Sequence, residues 1–295
     1  MTVPRQILPG STYLITRRCA QRQFLLRPSK LSRDVFLFVL AVAARRFGIQ
    51  VHAYCVMSNH LHMVITDMHA RLPAFAQFLN AFVARALNAS MAHWESFWAP
   101  GSYSAVRLVS PEAIVAETAY VLANPVSAGL VRFGRLWPGA WSDPDLIGAG
   151  TTTFDRPARF FAANGTLPAT ADLELTPPPG FTVEEFRRAL VAELERREQE
   201  GQQKFQRRGF VGVAAVLKQK PTARPRSKEP RRNLSPRIAA RDTWKRIEAL
   251  TRVKEFVRAY RAALLARRAG SADVVFPAGT YLLRVAHGVR CAASG

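Results

Sequence analysis

Two apolar, β-branched runs separated by a two-residue turn signal constrain this 295-residue chain more than any other feature. Ile49 to Met57 (IQVHAYCVM) and His60 to Thr66 (HLHMVIT) both read as strands, and Ser58-Asn59 between them is turn chemistry, so the two fold as a hairpin. Before the hairpin, Ser11 to Arg18 (STYLITRR) reads as a strand. Leu31 to Phe47 reads as a helix with a broad apolar face, ended by Gly48 where a left-handed cap is expected. After the hairpin, Arg71 to about His93 has helical periodicity, and Tyr103 to Val109 reads as a fourth strand. Ser110-Pro111-Glu112 then opens another helix, with serine at the N-cap, proline at the first position and an acid in the first turn. Pro125 is expected to stop that helix near Asn124.

Strand, helix, strand, strand, helix, strand is the order of a ferredoxin-like α+β fold with an antiparallel sheet, here with one helix appended. Residues 1–145 are expected to form this domain and 146–180 a linker, since the pattern loosens around Gly148 to Thr153 and Pro177 to Pro179 punctuates the chain. Residues 181–295 read as a basic, mainly helical extension. In it, Thr182-Val183-Glu184-Glu185 is a capping box opening a charged helix to about Glu200, and a short apolar segment spans Phe210 to Leu217. Lys218 to Arg237 holds four prolines and eight basic residues and is expected to be a flexible or extended basic linker. Asp242 to Ala269 reads as a long amphipathic helix with an apolar stripe through Trp244, Ile247, Leu250, Val253, Val257, Leu264 and Leu265. The β-branched and aromatic stretch Val274 to Val285 is expected to dock back on the rest of the chain.

With 48% hydrophobic residues the chain carries enough apolar material for a core, which excludes global disorder. The longest apolar run, Val35 to Ala44, is far short of the roughly 20 residues that cross a bilayer, so no membrane partner is expected. Nothing at the N-terminus resembles a secretory signal, and an intracellular, cytoplasmic setting is the expectation. Cys19, Cys55 and Cys291 are odd in number and widely spaced, which points to neither a disulfide framework nor a zinc knuckle. The net charge is +21, and residues 201–295 alone hold 22 basic against five acidic side chains. A field of that sign favours polyanions, nucleic acid foremost, over a solvated basic face or an anionic membrane surface.

Within the hairpin, His60-Leu61-His62 puts two imidazoles on one face of a strand and the leucine on the other. Two such histidines make half of a metal site, or simply line a solvated sheet face. Tyr120 and Asn124 lie one turn apart on one face of the helix opened by Ser110. An amide oxygen can complete a hard-cation site with two imidazoles, leaving positions for water and phosphate oxygens. A phenol is a poor nucleophile unless a cation lowers its pKa or polarises the atom that it attacks. Taken alone, Tyr120 is equally a core aromatic with its hydroxyl at the surface.

The stretch Tyr54-Cys55-Val56-Met57-Ser58-Asn59-His60-Leu61-His62, followed by Tyr120-Val121-Leu122-Ala123-Asn124-Pro125-Val126-Ser127-Ala128-Gly129-Leu130-Val131, resembles the single-tyrosine HUH transposases of the insertion sequence 200-like group. Within that group it is most similar to the REP-associated tyrosine transposases, and the resemblance covers about the first 140 residues. It implies that His60, His62 and Asn124 bind Mg²⁺ or Mn²⁺ and that Tyr120 is the nucleophile. In the family this tyrosine attacks single-stranded DNA, leaving a 5′-phosphotyrosine and a free 3′-OH, and another 3′-OH completes strand transfer. Single-stranded or hairpin DNA is thus the implied partner, and a homodimer is one possible working form. The chain departs from the family at Ser58-Asn59, where Pro-Asn is common, and its basic C-terminal half has no counterpart in the smallest members.

Arg17, Arg18 and Arg107 on strands, and Lys218, Lys220, Arg224, Arg226, Arg231 and Arg232 in the basic segment, are the candidates for DNA contact. His52 is close enough to the turn to approach the site, although a satisfied strand histidine is the plainer reading. His69, His93 and His287 are expected at the surface. Tyr13, Tyr54, Tyr103, Tyr260 and Tyr281 are assigned structural or stacking roles. The competing reading of the whole chain is a catalytically inactive DNA-binding protein that relies on its basic C-terminal region. A third, an H-x-H amidohydrolase, needs a barrel with ligands after later strands, and proline-rich basic sequence stands there instead.

Overall fold

The computed structural model describes residues 4–162, 164–226 and 237–293. Its centre is a mixed α+β unit in the expected order: β1 (Ser11–Arg18), α1 (Lys30–Phe47), β2 (Ile49–Met57), β3 (His60–Asp67), α2 (Leu72–Ser90), β4 (Ser104–Leu108) and α3 (Pro111–Ser127). The strands lie in the order β2-β3-β1-β4 and each neighbouring pair is antiparallel. That is the arrangement a β-α-β-β-α-β chain reaches when its hairpin inserts beside the first strand.

The alternation of side chains across β3 decides what covers each face. Met63 pairs with Tyr54, whose ring meets Phe36 of α1 edge-on at 5.8 Å between centroids. This face carries α1, and α2 packs beside it. His62 points the other way and meets the ring of Tyr120 at 5.4 Å, so α3 lies across the opposite face. α1 is fixed at its start by a reciprocal capping box between Ser29 and Ser32. Its run Val35 to Ala44 is buried throughout. A helix that is apolar all round requires cover on every side, and here part of that cover comes from a region expected to be a linker.

Residues 146–180 contain β5 (Thr151–Asp155) and β6 (Thr170–Glu174), an antiparallel pair resting on α1. Ala171 and Leu173 turn inward, while the threonines Thr151 to Thr153 are exposed and give the segment its loop-like composition. Leu175 then bridges to both Val51 and Ile147, tying the hairpin to the edge of β2.

α3 does not stop at Asn124. It runs through Pro125 to Ser127, although proline removes the N–H that would bond the Val121 carbonyl. Position in the last turn limits the damage, and the Trp141 indole N–H donates to the neighbouring Leu122 carbonyl at 3.0 Å. The helix ends in paired bonds, Gly129 N–H to Val126 O at 2.8 Å and Leu130 N–H to Pro125 O at 2.9 Å. This Schellman geometry needs the left-handed φ of +69° that Gly129 adopts.

α4 (Val183–Phe205) opens with the expected Thr182/Glu185 capping box and lies along α3. Phe186, Leu190, Leu194 and Gly201 form its buried face. A Cβ at Gly201 would stand 2.9 Å from Val126 Cγ1, so the absent side chain is what lets the two helices close up there. After α5 (Val213–Leu217), β7 (Ile238–Ala239) pairs in parallel with β4 and covers that edge of the sheet.

α6 (Thr243–Arg268) spans the expected residues, but only part of its apolar stripe turns inward. Trp244, Ile247, Leu250 and Leu265 are exposed and Val253, Val257 and Leu264 half-buried, whereas Ala249, Phe256 and Ala263, at heptad spacing, are buried. Ala263 and Leu264 pack against the C-terminal segment. That segment does dock back: Phe276 is buried beside Tyr260 and Ala263, and α7 (Leu282–His287) follows. Cys19 and Cys55 are buried free thiols and Cys291 is half-buried. Among the described residues no helix is long and apolar enough to cross a membrane.

His52 occupies the bulge where the β2–β3 register shifts between Val51 and Ala53. It is buried, with Nδ1 at 2.8 Å from the Thr176 carbonyl and Nε2 at 2.8 Å from Thr66 Oγ1. The plainer reading holds: this imidazole joins β2, β3 and the 146–180 region and stands outside the cleft. Burial pushes its pKa down to about 4. The unfolded chain therefore takes up the proton first as pH falls, and stability is lost from the unfolded value near 6.5 downward. Urea melts should show the wild type losing about 2 kcal/mol more than His52→Gln between pH 7 and pH 5. Parallel pH profiles for the two proteins would refute this assignment.

Candidate active site

The H-x-H pair begins β3 at the end of the sheet where β1 also ends, so register delivers the neighbours of each imidazole. His62 pairs with Thr16 and His60 with Arg18. The two imidazole centroids are 4.7 Å apart, nearly perpendicular. His62 Nδ1 lies 2.8 Å from Thr16 Oγ1, and His60 Nδ1 lies 2.7 Å from Asn59 Oδ1. With Asn59 Oδ1 accepting, the proton of His60 sits on Nδ1 and the ring lone pair on Nε2. Asn59 is itself oriented by a bond from its Nδ2 to the Arg22 carbonyl at 3.3 Å. Fixing a ring through one nitrogen so that the other can act is the usual second-layer support of a metal-binding histidine. Burial, helped by His60 and Arg18, holds the His62 imidazole well below its ordinary pKa, and so neutral.

α3 brings the other half of the site to the same place. Tyr120 is half-buried with its ring against His62, and Asn124 is buried one turn further on. Burial raises the Tyr120 pKa, and Glu117 adds to this; the hydrogen bond with Asn124 and the positive fields of Arg18 and Arg197 oppose it. Arg197 belongs to α4, where Glu193 accepts from its Nε at 2.9 Å, and its guanidinium carbon stands 6.0 Å from the centre of the Tyr120 ring.

Together these residues form the floor of a cleft of about 850 Å³. Its lining includes five cationic side chains, Arg18, Arg22, Lys204, Arg208 and Arg226, and among the described residues no carboxylate. A wall with this many cations attracts anions. Among the described residues no trio of His, Cys, Asp and Glu gathers to hold a metal. Asn124 lines the same cleft as the imidazole pair. Two imidazoles and one amide are uncharged ligands that leave the charge of a divalent cation unbalanced, which suits a site completed by water and phosphate oxygen more than a closed structural zinc site.

Much of the cleft wall comes from beyond residue 181. Lys204, Phe205, Arg208 and Phe210, together with Arg22 and Phe24, were not singled out from sequence. The interleaving of cations and aromatics in Lys204 to Phe210 (KFQRRGF) was the available signal. The segment after α4 returns beneath the end of α3, with Val211 N–H to Gly129 O at 3.0 Å and Gly212 N–H to Leu130 O at 2.8 Å. It then crosses to the β2–β3 turn, where Ser58 Oγ donates to Gln219 Oε1 at 2.6 Å and Phe24 N–H donates to Ala223 O at 2.9 Å. The described part of the expected basic linker is thus tied down at Gln219 and Ala223, and its residues 227–236 lie outside the described residues. Ser58, where the family pattern commonly has proline, provides the hydroxyl that makes one of these ties.

The other expected DNA contacts scatter. Arg18 and Arg226 line the cleft. Arg17 points to the other face of β1, where it donates to the Gly101 carbonyl at 2.8 Å and stands over Trp98. Arg107 lies half-buried at the far end of the sheet beside Tyr13, opposite β7. Lys218, Lys220 and Arg224 are exposed on the covering segment without lining the cleft, and Arg231 and Arg232 lie outside the described residues.

No family model and no curated protein matches this chain. Among solved structures, a REP-associated tyrosine transposase bound to a REP hairpin is similar over 47% of this chain and 81% of its own, at 16% identity and a TM-score of 0.40. A Deinococcus radiodurans R1 protein assigned to the transposases is similar over 41% of this chain and 95% of its own, at 22% identity and a TM-score of 0.29. Likenesses of that size say nothing about chemistry, which has to come from the residues themselves.

The Ser58–Gln219 bond is testable by limited trypsin digestion, because the segment carries cleavage sites at Lys218 and Arg226, whereas Lys220 and Arg224 precede proline and resist the enzyme. Loss of one hydrogen bond of about 1 kcal/mol makes local opening roughly fivefold more frequent. Ser58→Ala, which leaves the cleaved bonds themselves unaltered, should therefore speed cleavage at Lys218 and Arg226 about fivefold while leaving the global melt little changed. Unaltered rates at both residues would show that the bond does not hold the segment.

Proposed function

We propose that this chain is a metal-dependent enzyme that cleaves single-stranded DNA and transfers the strand through a 5′-phosphotyrosine at Tyr120, acting as a transposase on hairpin-bearing DNA. One observation carries this reading: Tyr120, Asn124, His60 and His62, which lie up to 64 residues apart in sequence, meet on the floor of one cleft lined by five cationic side chains.

In the reaction, the Tyr120 Oη attacks the phosphorus of one phosphodiester. The new P–O(Tyr) bond forms as the P–O3′ bond breaks, and the leaving oxygen takes up a proton to become a 3′-OH. Attack by another 3′-OH on the phosphotyrosine reverses the exchange and regenerates the phenol, so phosphodiester bonds are conserved and no water is consumed. His60, His62 and Asn124 would hold Mg²⁺ or Mn²⁺, which when bound draws electron density from the scissile phosphate. The protein's own contribution is positional. Thr16 and Asn59 fix the two imidazoles, Asn124 bonds the phenol, and the packing of its ring against His62 limits the directions in which Tyr120 can attack. Arg18 and Arg197 place positive charge beside an oxygen that becomes anionic as its proton leaves.

The decisive assay uses end-labelled single-stranded DNA carrying hairpins, with Mn²⁺ and with EDTA. A covalent protein–DNA adduct should form only with metal, retain the 5′-phosphate side of the break, and vanish in Tyr120→Phe. Tight binding with no adduct on any hairpin substrate would instead favour an inactive DNA-binding protein. A second check does not depend on turnover. Thr16→Val removes the partner of His62 Nδ1 and should weaken Mn²⁺ binding, measured calorimetrically on the full chain, by about 10- to 100-fold. Unchanged affinity would remove His62 from the proposed metal set.

A further inference from the structure

Phe205 closes α4 and Phe210 follows four exposed residues later, yet both rings return to the cleft. Their centroids are 5.7 Å apart with the planes tilted by 50°. Phe205 is held in place from behind: a Cβ on Gly129 would come within 2.6 Å of its Cε1, so the ring lies directly against the glycine that ends α3. Lys204 Nζ stands 5.2 Å from the centre of the same ring. Phe210 is half-exposed, and its backbone is fixed by the bonds of Val211 and Gly212 to the Gly129 and Leu130 carbonyls. Arg208 and Arg226 flank the pair, both exposed, and among the described residues neither has an ion-pair partner. An aromatic face in a cleft that also presents Arg208 and Arg226 matches one ligand chemistry, a base between two phosphates.

We propose that Phe210, backed by Phe205 and flanked by Arg208 and Arg226, is a subsite that stacks one unpaired nucleobase of the strand held at Tyr120 and grips its neighbouring phosphates. This rests on the single-strand reading of the cleft. A paired base is already stacked on both faces, so only an unpaired one can offer its face to the ring. Stacking uses the π-face common to all four bases, and the subsite therefore selects unpaired DNA without selecting sequence. It also explains why the chain after α4 turns back beneath α3: the return carries Phe210 into the cleft that holds the nucleophile.

The test is made in the full-length Tyr120→Phe background, with fluorescence anisotropy on a mixed-sequence single-stranded oligodeoxynucleotide and on its duplex. Phe210→Ala should weaken single-strand binding about tenfold, Phe210→Trp should restore it, and duplex binding should hardly change. A 2-aminopurine placed in the single strand should be quenched on binding, and the quenching should disappear in Phe210→Ala. Arg208→Gln should lower the slope of log affinity against log salt by about 0.7, the value of one phosphate contact on a single strand. Thermal melts establish that each variant is folded. Equal loss of single-strand and duplex binding in folded Phe210→Ala, or no loss of either, overturns the subsite. If Phe210→Ala binds normally while Tyr120-containing protein still forms the adduct, the subsite falls and the strand-transfer reading stands. Phe210-dependent binding with no adduct on any substrate leaves the subsite standing and removes the chemistry.

Discussion

The site depends on how closely the helix Pro111–Ser127 can be pressed onto the sheet. That helix is buried from Ala113 to Val126 along all but its outer stripe, with the sheet on one side and α4 on another. Glycine at 201 lets α4 approach Val126, and glycine at 129 lets Phe205 lie against the helix end. Tyr120 and His62 consequently share one ring contact, which brings together a phenol and an imidazole that separate elements contribute. A bulkier residue at either glycine would displace α4 and with it Arg197, Phe205 and the chain beyond.

This packing also accounts for how a helix carries proline in its last turn without breaking. The lost hydrogen bond costs stability, but the helix is held by burial of its apolar faces, and the Schellman turn at Gly129 satisfies carbonyls near its end. The same turn exposes the Gly129 and Leu130 carbonyls to Val211 and Gly212. A terminus that would otherwise fray becomes the attachment point for the cleft's second wall. The covering segment then ties α3 to the β2–β3 turn through Gln219 and Ser58. Both halves of the site are thereby joined by a part of the chain that lies outside the two motifs.

Charge is arranged on the same plan. Much of the +21 excess is solvated on α6 and elsewhere, but the cleft collects cations from β1, the turn after it, α4 and the covering segment. Arg17 and Arg18 are adjacent in sequence and reach opposite faces of a strand, so one lines the cleft and the other packs on Trp98. Counting arginines could not separate them; strand alternation could have, once the face carrying His62 was known.

The sequence by itself determined the strand and helix order, the shared face of His60 and His62, the one-turn spacing of Tyr120 and Asn124, the Gly48 cap that ends α1 and the capped starts of α3 and α4. Each of these follows from periods of two or 3.6 residues and from local hydrogen bonding, which act within a few positions along the chain. Only the tertiary structure decided that Thr151 to Glu174 would cover α1, that Trp244 and Ile247 would face solvent while Phe256 was buried, and that residues 204–226 would return to Tyr120. Those outcomes rest on contacts such as Ser58 with Gln219, 161 residues apart, and such contacts leave no periodic trace in the residues that make them. They are set by which surfaces remain to be buried once the sheet has formed.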